Sequence, residues 1–317
     1  MRDFVSLKKT LAGVHNYLPA PFFSDYRLDV DGMRGNVAFH VLTNHDDMTI
    51  TVGGGYGEGF TLDLEEHKDL VSAAVEGADG KIHVMAGVVG GYGIQRAMAR
   101  NAEEAGAGSI IVFVPRFQTP TPDVAYSYLR DLAESVDLGV VIFPFGPHAF
   151  WPNVLERLAV VSNIIGFLAP NISIEHTVEF GKVINSIVPG RYLWIAENED
   201  HAMASFPHGC LAYTAAAPAI VPEASREFWK YGVQGDEDLM VEVFGQRIEP
   251  INKIRSLKPG YGISGIKVAL EMLGRAGGPP RPVDTHVAVS DRSVIWDILA
   301  SHPDVKHLLD DRHQPLG

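Results

Sequence analysis

Residues 163–169 have the sequence Asn-Ile-Ile-Gly-Phe-Leu-Ala, a short apolar run bounded by polar residues and turn formers. A run of this length and composition predicts a β-strand that is buried on both sides. Buried strands of this kind occur in parallel sheets, where helices cover the outer side. Leu168 stands near the end of the run, where a parallel strand would deliver its last inward-pointing side chain.

Similar β-rich runs recur along the first two thirds of the chain and alternate with longer amphipathic segments. This alternation predicts repeated βα units around a parallel sheet, and eight strands are enough to close a (β/α)8 TIM barrel of the α/β class. Asp63 and Glu66 provide a capping pair for the helix that follows the second strand. Strands are predicted at 13–18, 48–52, 83–87, 109–114, 139–143, 164–168, 192–196 and 210–213, and helices at 64–75, 94–105, 123–135, 154–160 and 174–186.

Helical patterns continue after the eighth strand, at 223–229, 236–256, 264–273 and 290–299. We therefore predict a barrel over residues 1–217 and a C-terminal helical extension over 218–317. The length of 317 residues suits one large α/β barrel with such an extension.

Charge and composition limit the classes of partner. The net charge of −13 argues against a nucleic acid or an anionic membrane, because either partner would need a basic surface. The single cysteine, Cys210, allows no intramolecular disulfide and is expected to be a small buried hydrophobic residue. Residues 1–10 lack the apolar run of a signal peptide, so we predict a cytoplasmic protein.

Several motifs occur in an order that points to a known family. The most specific is residues 52–62, Val-Gly-Gly-Gly-Tyr-Gly-Glu-Gly-Phe-Thr-Leu, which corresponds to a Gly-Thr-Thr-Gly-Glu loop followed by a helix start. Together the motifs resemble the dihydrodipicolinate synthase and N-acetylneuraminate lyase family of class I aldolases. The other matching segments are 13–22, 65–67, 85–88, 105–107 and 114–117.

The resemblance implies a TIM barrel lyase in which a lysine at the end of the sixth strand condenses with a 2-oxo acid. This chain has Leu168 at that position. Arg116 stands where the family has a tyrosine that shuttles protons, and Gly55 and Tyr56 replace its paired threonines. The chain is therefore identified as a divergent member that lacks the Schiff-base lysine.

Two other lysines could be considered as substitutes. Lys182 is predicted to lie in the helix after the sixth strand, and Lys267 in the C-terminal extension. We expect both to be surface or snorkelling lysines, outside the barrel mouth.

Chemistry in such a barrel belongs at the carboxyl ends of the strands. Arg116 is expected there, where it could grip a carboxylate bidentately and polarise a substrate, or form an ion pair with Glu58 or Glu197. The backbone of Gly54, Gly55 and Tyr56 could hold an anion, or could form only a tight turn.

Three residues are candidates for proton transfer: Glu58, Glu197 and His15. Glu197 could instead be a polar loop residue and His15 a histidine bonded to a neighbouring loop. Phe143 and Leu168 are candidate substrate contacts, although the aromatic residues around Phe143, namely Phe145, Phe150 and Trp151, could also plug the pocket. We predict no metal site and no cofactor.

Two functions remain open. The first is an enzyme of the lyase and aldolase superfamily that acts on a small 2-oxo acid or sugar-acid-like compound without a lysine adduct. The second is a non-catalytic relative that binds a metabolite or has a structural role. In both cases the expected ligand is a small anionic metabolite. By analogy with the family we expect a homo-oligomer, a dimer or a tetramer.

Overall fold

A computed structural model describes residues 3–43, 47–115, 121–144, 152–169, 173–282 and 284–315. Eight parallel strands form a closed barrel in which each strand pairs with its neighbour in sequence and the first pairs with the last. The predicted fold class is therefore confirmed. The strands are β1 (Gly13–Tyr17), β2 (Met48–Val52), β3 (His83–Val88), β4 (Ser109–Phe113), β5 (Gly139–Phe143), β6 (Ile164–Leu168), β7 (Leu193–Ala196) and β8 (Ala212–Ala215).

Helices follow the strands around the barrel and continue beyond it. Those up to β8 are α1 (Phe4–Thr10), α2 (Val30–Leu42), α3 (Leu64–Ala78), α4 (Tyr92–Glu104), α5 (Pro122–Glu134), α6 (Pro152–Leu158), α7 (Ile174–Ile187) and α8 (Glu199–Ser205). The later ones are α9 (Pro222–Gln234), α10 (Glu237–Val243), α11 (Glu249–Ser256), α12 (Tyr261–Met272) and α13 (Val289–Ser301).

The element predictions hold with three kinds of difference. Helices α1, α2 and α8 were not predicted, and β8 begins two residues later than expected. The single helix predicted at 236–256 is interrupted by a π-helical turn, Phe244–Ile248. The cap of α3 is confirmed, because Asp63 and Glu66 form a reciprocal capping box. The boundary at residue 217 between barrel and extension stays a prediction.

Strand pairing decides which side chains point into the barrel. Asn16 bonds His40 of α2, so it faces outward and its neighbours His15 and Tyr17 face inward. Residues paired across parallel strands share a side of the sheet, so the pairing identifies the inner side of each strand; a register shift between β5 and β6 still pairs Val141 with Gly166. The inward side chains nearest the carboxyl ends include Tyr17, Phe113, Phe143 and Leu168.

Two further findings concern the whole chain. Cys210 is 1% exposed and burial raises its pKa to about 12, which confirms the expected buried thiol. In the part of the chain that the structure describes, no helix has the length and apolarity needed to cross a bilayer.

The loop after β2 is tied to the C-terminal helices by a buried ion pair. Lys267 of α12 lies 2.6 Å from the carboxylate of Glu58, and both side chains are inaccessible to solvent. Lys267 also donates to the carbonyl of Pro279 at 3.0 Å, and the backbone N–H of Arg281 donates to Glu58 at 3.2 Å. The prediction of a surface or snorkelling lysine at 267 was wrong, since its charge is neutralised inside the protein. Lys182 is exposed, as expected.

We expect Glu58→Gln to lower the free energy of unfolding by about 3 to 5 kcal/mol, because removing one partner leaves a buried charge without compensation. Chemical denaturation should show this loss. The double variant Glu58→Gln/Lys267→Met should recover much of it, since the uncompensated ammonium is then gone. Glu104→Gln, which breaks the exposed pair with Lys68, is the control and should change stability by about 1 kcal/mol or less. A loss at Glu58 no larger than this control would contradict the assignment.

Candidate active site at the carboxyl end of the barrel

The glycine loop, residues 53–57, closes over the end of β2. Close packing favours glycine at Gly54, where a Cβ would lie 2.8 Å from the ring of Tyr17, and at Gly87 of the neighbouring strand β3, where a Cβ would overlap the backbone of Gly53 and Gly54. His67 of α3 fixes Gly87 beside the loop, since its Nε2 forms a hydrogen bond with the carbonyl of Gly87 at 2.8 Å. The loop is therefore a compact turn whose shape depends on backbone contacts.

This loop also presents hydrogen-bond donors. Among the described residues, the backbone N–H groups of Gly55, Tyr56 and Gly57 donate to no acceptor, while the carbonyls of Gly54 and Gly55 accept bonds from Gly59 and Glu58. Gly55 and Tyr56 are partly exposed. Successive backbone N–H groups without an acceptor in the protein are suited to a carboxylate or phosphate.

Tyr17, Thr214 and Glu197 form the polar side of the barrel mouth. Tyr17 is 3% exposed, and burial raises the pKa of its phenol well above the usual range. The negative charge of Glu197 raises this pKa further and the hydroxyl of Thr214 opposes the shift. Glu197 follows β7 and is half-buried. At ordinary pH a protonated phenol therefore lies beside a carboxylate that is partly buried.

Aromatic side chains fill the opposite side. The Phe113 ring approaches to 3.3 Å of the position that a Cβ on Gly55 would occupy, and it meets the Phe143 ring edge-on at 5.3 Å between centroids. Phe143 is 6% exposed and Leu168 only 2%. Phe143 is thus packed as a plug would be. Phe145, Phe150 and Trp151 lie outside the described residues.

The structure brings some of the predicted site residues together. Gly54, Gly55, Tyr56, Phe143, Leu168 and Glu197 all lie around the barrel mouth. Arg116 lies outside the described residues, which stop at Pro115 on that side. Glu58 directly follows the glycine loop, but its carboxylate is directed to Lys267 and the Arg281 backbone.

His15 lies deeper in the barrel. It stands two residues before Tyr17 on the same side of β1, and its Nε2 bonds the carbonyl of Leu11 at 2.8 Å. Burial lowers the pKa of His15 to about 4, so the ring is neutral at ordinary pH. The structure therefore shows His15 bonded to a neighbouring segment, at a distance along the strand from the mouth.

Sequence reasoning did not single out Tyr17, Thr214 or Arg255. The guanidinium of Arg255, on α11, lies 4.7 Å above the Tyr56 ring. Tyr17 and Thr214 could have been found by counting alternate residues on β1 and β8. Nothing in the sequence near Arg255 signals its place, because its partner is separated from it by most of the barrel.

Comparison with known proteins agrees with this architecture. A model of the dihydrodipicolinate synthetase family matches residues 10–299. The chain belongs to this family. It is therefore a member of the lyase and aldolase superfamily built on this barrel.

Relatives named as probable 5-dehydro-4-deoxyglucarate dehydratases include one from Bacillus licheniformis, 28% identical over 313 residues that cover 94% of this chain and 97% of the relative. Another, from Bradyrhizobium sp., is 28% identical over 294 residues and 92% of each chain. Dihydrodipicolinate synthase from Oceanobacillus iheyensis shares the fold, with a TM-score of 0.83 at 22% identity over 94% of this chain and 99% of that one. The enzyme from Bacillus clausii gives 0.81 at 24% identity, over 93% and 99%.

We expect the buried His15 to make the protein less stable in acid. The pKa of His15 is about 4 in the folded protein, against a reference value of 6.5 for a histidine in water. Between pH 4 and pH 6.5 the unfolded chain therefore binds a proton at His15 that the folded protein does not. The contribution of His15 to the free energy of unfolding is fully present above pH 6.5 and is lost as the pH falls towards 4, a loss of about 3 kcal/mol from this one group. Denaturation curves across this range should show a shallower pH dependence for His15→Gln than for wild type. The exposed His176→Gln is the control, and equal slopes for the two variants would contradict the expectation.

Proposed function

We propose that this protein is a lyase that removes water from a small sugar acid or 2-oxo acid without forming a lysine Schiff base. The observation that carries the proposal is Leu168. It occupies the last inward position of β6 and is 2% exposed in the apolar side of the mouth. A hydrocarbon side chain cannot attack a carbonyl, so the electron sink of the aldolase mechanism is absent from this position.

The distribution of the lysines supports the same conclusion. No lysine lies on any of the eight strands that the structure describes. Lys267, the one lysine that is fully buried among the described residues, is held by Glu58 and by the Pro279 carbonyl. Its amine is thus committed to an ion pair on the side of the glycine loop that faces α12.

The polar side of the mouth supplies groups for proton transfer. Dehydration beside a carbonyl requires a base that takes a proton from carbon and an acid that protonates the departing hydroxyl. In the proposal Glu197 takes the proton from the carbon beside the carbonyl and then gives it to the departing hydroxyl, which leaves as water, while the phenol of Tyr17 donates a hydrogen bond to the carbonyl oxygen that gains negative charge. The names of the relatives as dehydratases of a sugar acid support this reaction class.

In the proposal the glycine loop and Arg116 bind the substrate. The free N–H groups of Gly55, Tyr56 and Gly57 receive its carboxylate, and Arg116 is proposed to assist by binding and polarising it. Arg116 remains protonated at ordinary pH and therefore serves as no general base. We further propose a cytoplasmic homo-oligomer that acts without a metal or cofactor.

A non-catalytic binding protein is the second candidate. It is favoured by the contact between Phe113 and the glycine loop and by the burial of Phe143, because these rings occupy the apolar side of the mouth. The difference between the two candidates is turnover, since both would bind a small acid.

Borohydride reduction in the presence of pyruvate should leave the protein without a covalent adduct, because no amine reaches the mouth. Intact-mass spectrometry reads the result. A dihydrodipicolinate synthase that carries the family lysine is the positive control and should gain one pyruvyl group. A reduced adduct on this chain, located by peptide mapping, would show that an amine does enter the site and would end the proposal of a lysine-free mechanism.

The enzyme and the binding protein are separated by an assay with 5-dehydro-4-deoxyglucarate and related sugar acids. Glu197→Gln should lower kcat/KM by about 100-fold or more, as expected for loss of a general acid–base. Asp200→Asn is the matched control, since Asp200 is an exposed carboxylate three residues away. Ligand-induced thermal stabilisation without turnover in the wild type would instead support the binding protein.

A further inference from the structure

We infer that Arg255 binds a second carboxylate of the ligand, so that the site selects a sugar acid with an acidic group at each end. This inference rests on the proposed function in taking the glycine loop as the place of the first carboxylate. It assigns a residue of the C-terminal helices to the site and narrows the ligand class to dicarboxylic sugar acids.

Arg255 is held in a defined position. Its Nε donates to the carbonyl of Gly262 at 3.2 Å, and its guanidinium stacks over the Tyr56 ring with 4.7 Å between Cζ and the centroid. Stacking orders the plane of the guanidinium and leaves its outer N–H edge available. An arginine oriented in this way is prepared to receive a carboxylate with two parallel hydrogen bonds.

Tyr56 connects Arg255 to the reacting groups. The Tyr56 ring meets Tyr17 edge-on, with 6.3 Å between centroids, and Tyr17 adjoins Glu197 and Thr214. The backbone N–H of Tyr56 belongs to the glycine loop, whereas its ring extends to Arg255. Tyr56 therefore links two sites for negative charge, the N–H groups of the glycine loop at its backbone and the Arg255 guanidinium at its ring. Tyr17 and Glu197, the proposed proton-transfer groups, lie beside it.

The charge of Arg255 is available to a ligand. In the described chain Arg255 forms no ion pair, in contrast to Arg247 and Arg281 of the same C-terminal region, which pair with carboxylates. Glu199 is the nearby acid, but it bonds Asn252 at 3.2 Å instead. Burial raises the pKa of Glu199, and the charge of Arg255 opposes this shift without forming an ion pair.

The net charge of the protein makes this local cation important. At −13 the chain repels a dianion as a whole, so a site for a dicarboxylate needs positive groups at close range. The glycine loop offers partial charges on N–H groups, and Arg255 offers a full charge. A monocarboxylate would need only one of these two sites.

The test compares glucarate, which has two carboxylates, with gluconate, which has one, by titration calorimetry on the full-length protein. Wild type should bind glucarate more tightly. Arg255→Gln should lose about 10- to 100-fold of affinity for glucarate, as expected for a charge-assisted hydrogen-bonded contact, and little for gluconate. Arg255→Lys keeps the charge but not the paired geometry and should lose part of this preference, which tests the idea even if Arg255→Gln folds poorly.

Lys253→Gln is the control, because Lys253 is an exposed cation on the same helix and should leave both affinities unchanged. The inference is overturned if wild type fails to prefer glucarate at millimolar concentration, if 6-phosphogluconate is preferred over glucarate, or if Arg255→Gln weakens both acids equally. Arg255-dependent binding of glucarate without any turnover would support the inference while rejecting the proposed lyase activity. Turnover of the sugar acid that does not depend on Arg255 would support the proposed lyase activity while rejecting the inference.

Discussion

The buried ion pair between Glu58 and Lys267 is the constraint on which the barrel mouth depends. It joins the loop after β2 to α12, two segments that are 209 residues apart in sequence. Because both charges are desolvated, each stabilises the fold only while the other is present. Arg281 reinforces the same junction through its backbone bond to Glu58 and its ion pair with Glu66 at the start of α3.

This junction has a consequence for function. It ties the segment that follows the glycine loop to α12, and the adjacent α11 carries Arg255 over Tyr56. In the proposed function the C-terminal helices therefore form part of the wall of the site as well as a cover for the barrel. The carboxylate of Glu58 forms a buried ion pair with Lys267, while the carboxylate of Glu197, after β7, acts electrostatically on Tyr17.

In the proposed function, Leu168 at the last inward position of β6 changes the kind of chemistry that the barrel performs. On that proposal carbanion character is not dispersed into an iminium, and the site relies on placed hydrogen bonds and charges. Tyr17 beside Glu197 provides such an arrangement in the proposal. The apolar residues Phe113, Phe143 and Leu168 exclude water from the other side, which strengthens these electrostatic interactions.

The sequence by itself determined the barrel, most strand positions, the cap at Asp63, the buried Cys210 and the location of the mouth residues Tyr56, Phe143, Leu168 and Glu197. These features depend on local periodicity, turn chemistry and the rule that parallel strands end at one edge. Tertiary structure alone decided that Lys267 is buried against Glu58, that His15 bonds Leu11 deep in the barrel, and that Arg255 reaches Tyr56. Those contacts join segments distant in sequence, or turn on which group a side chain meets in three dimensions, and no local pattern specifies such partners.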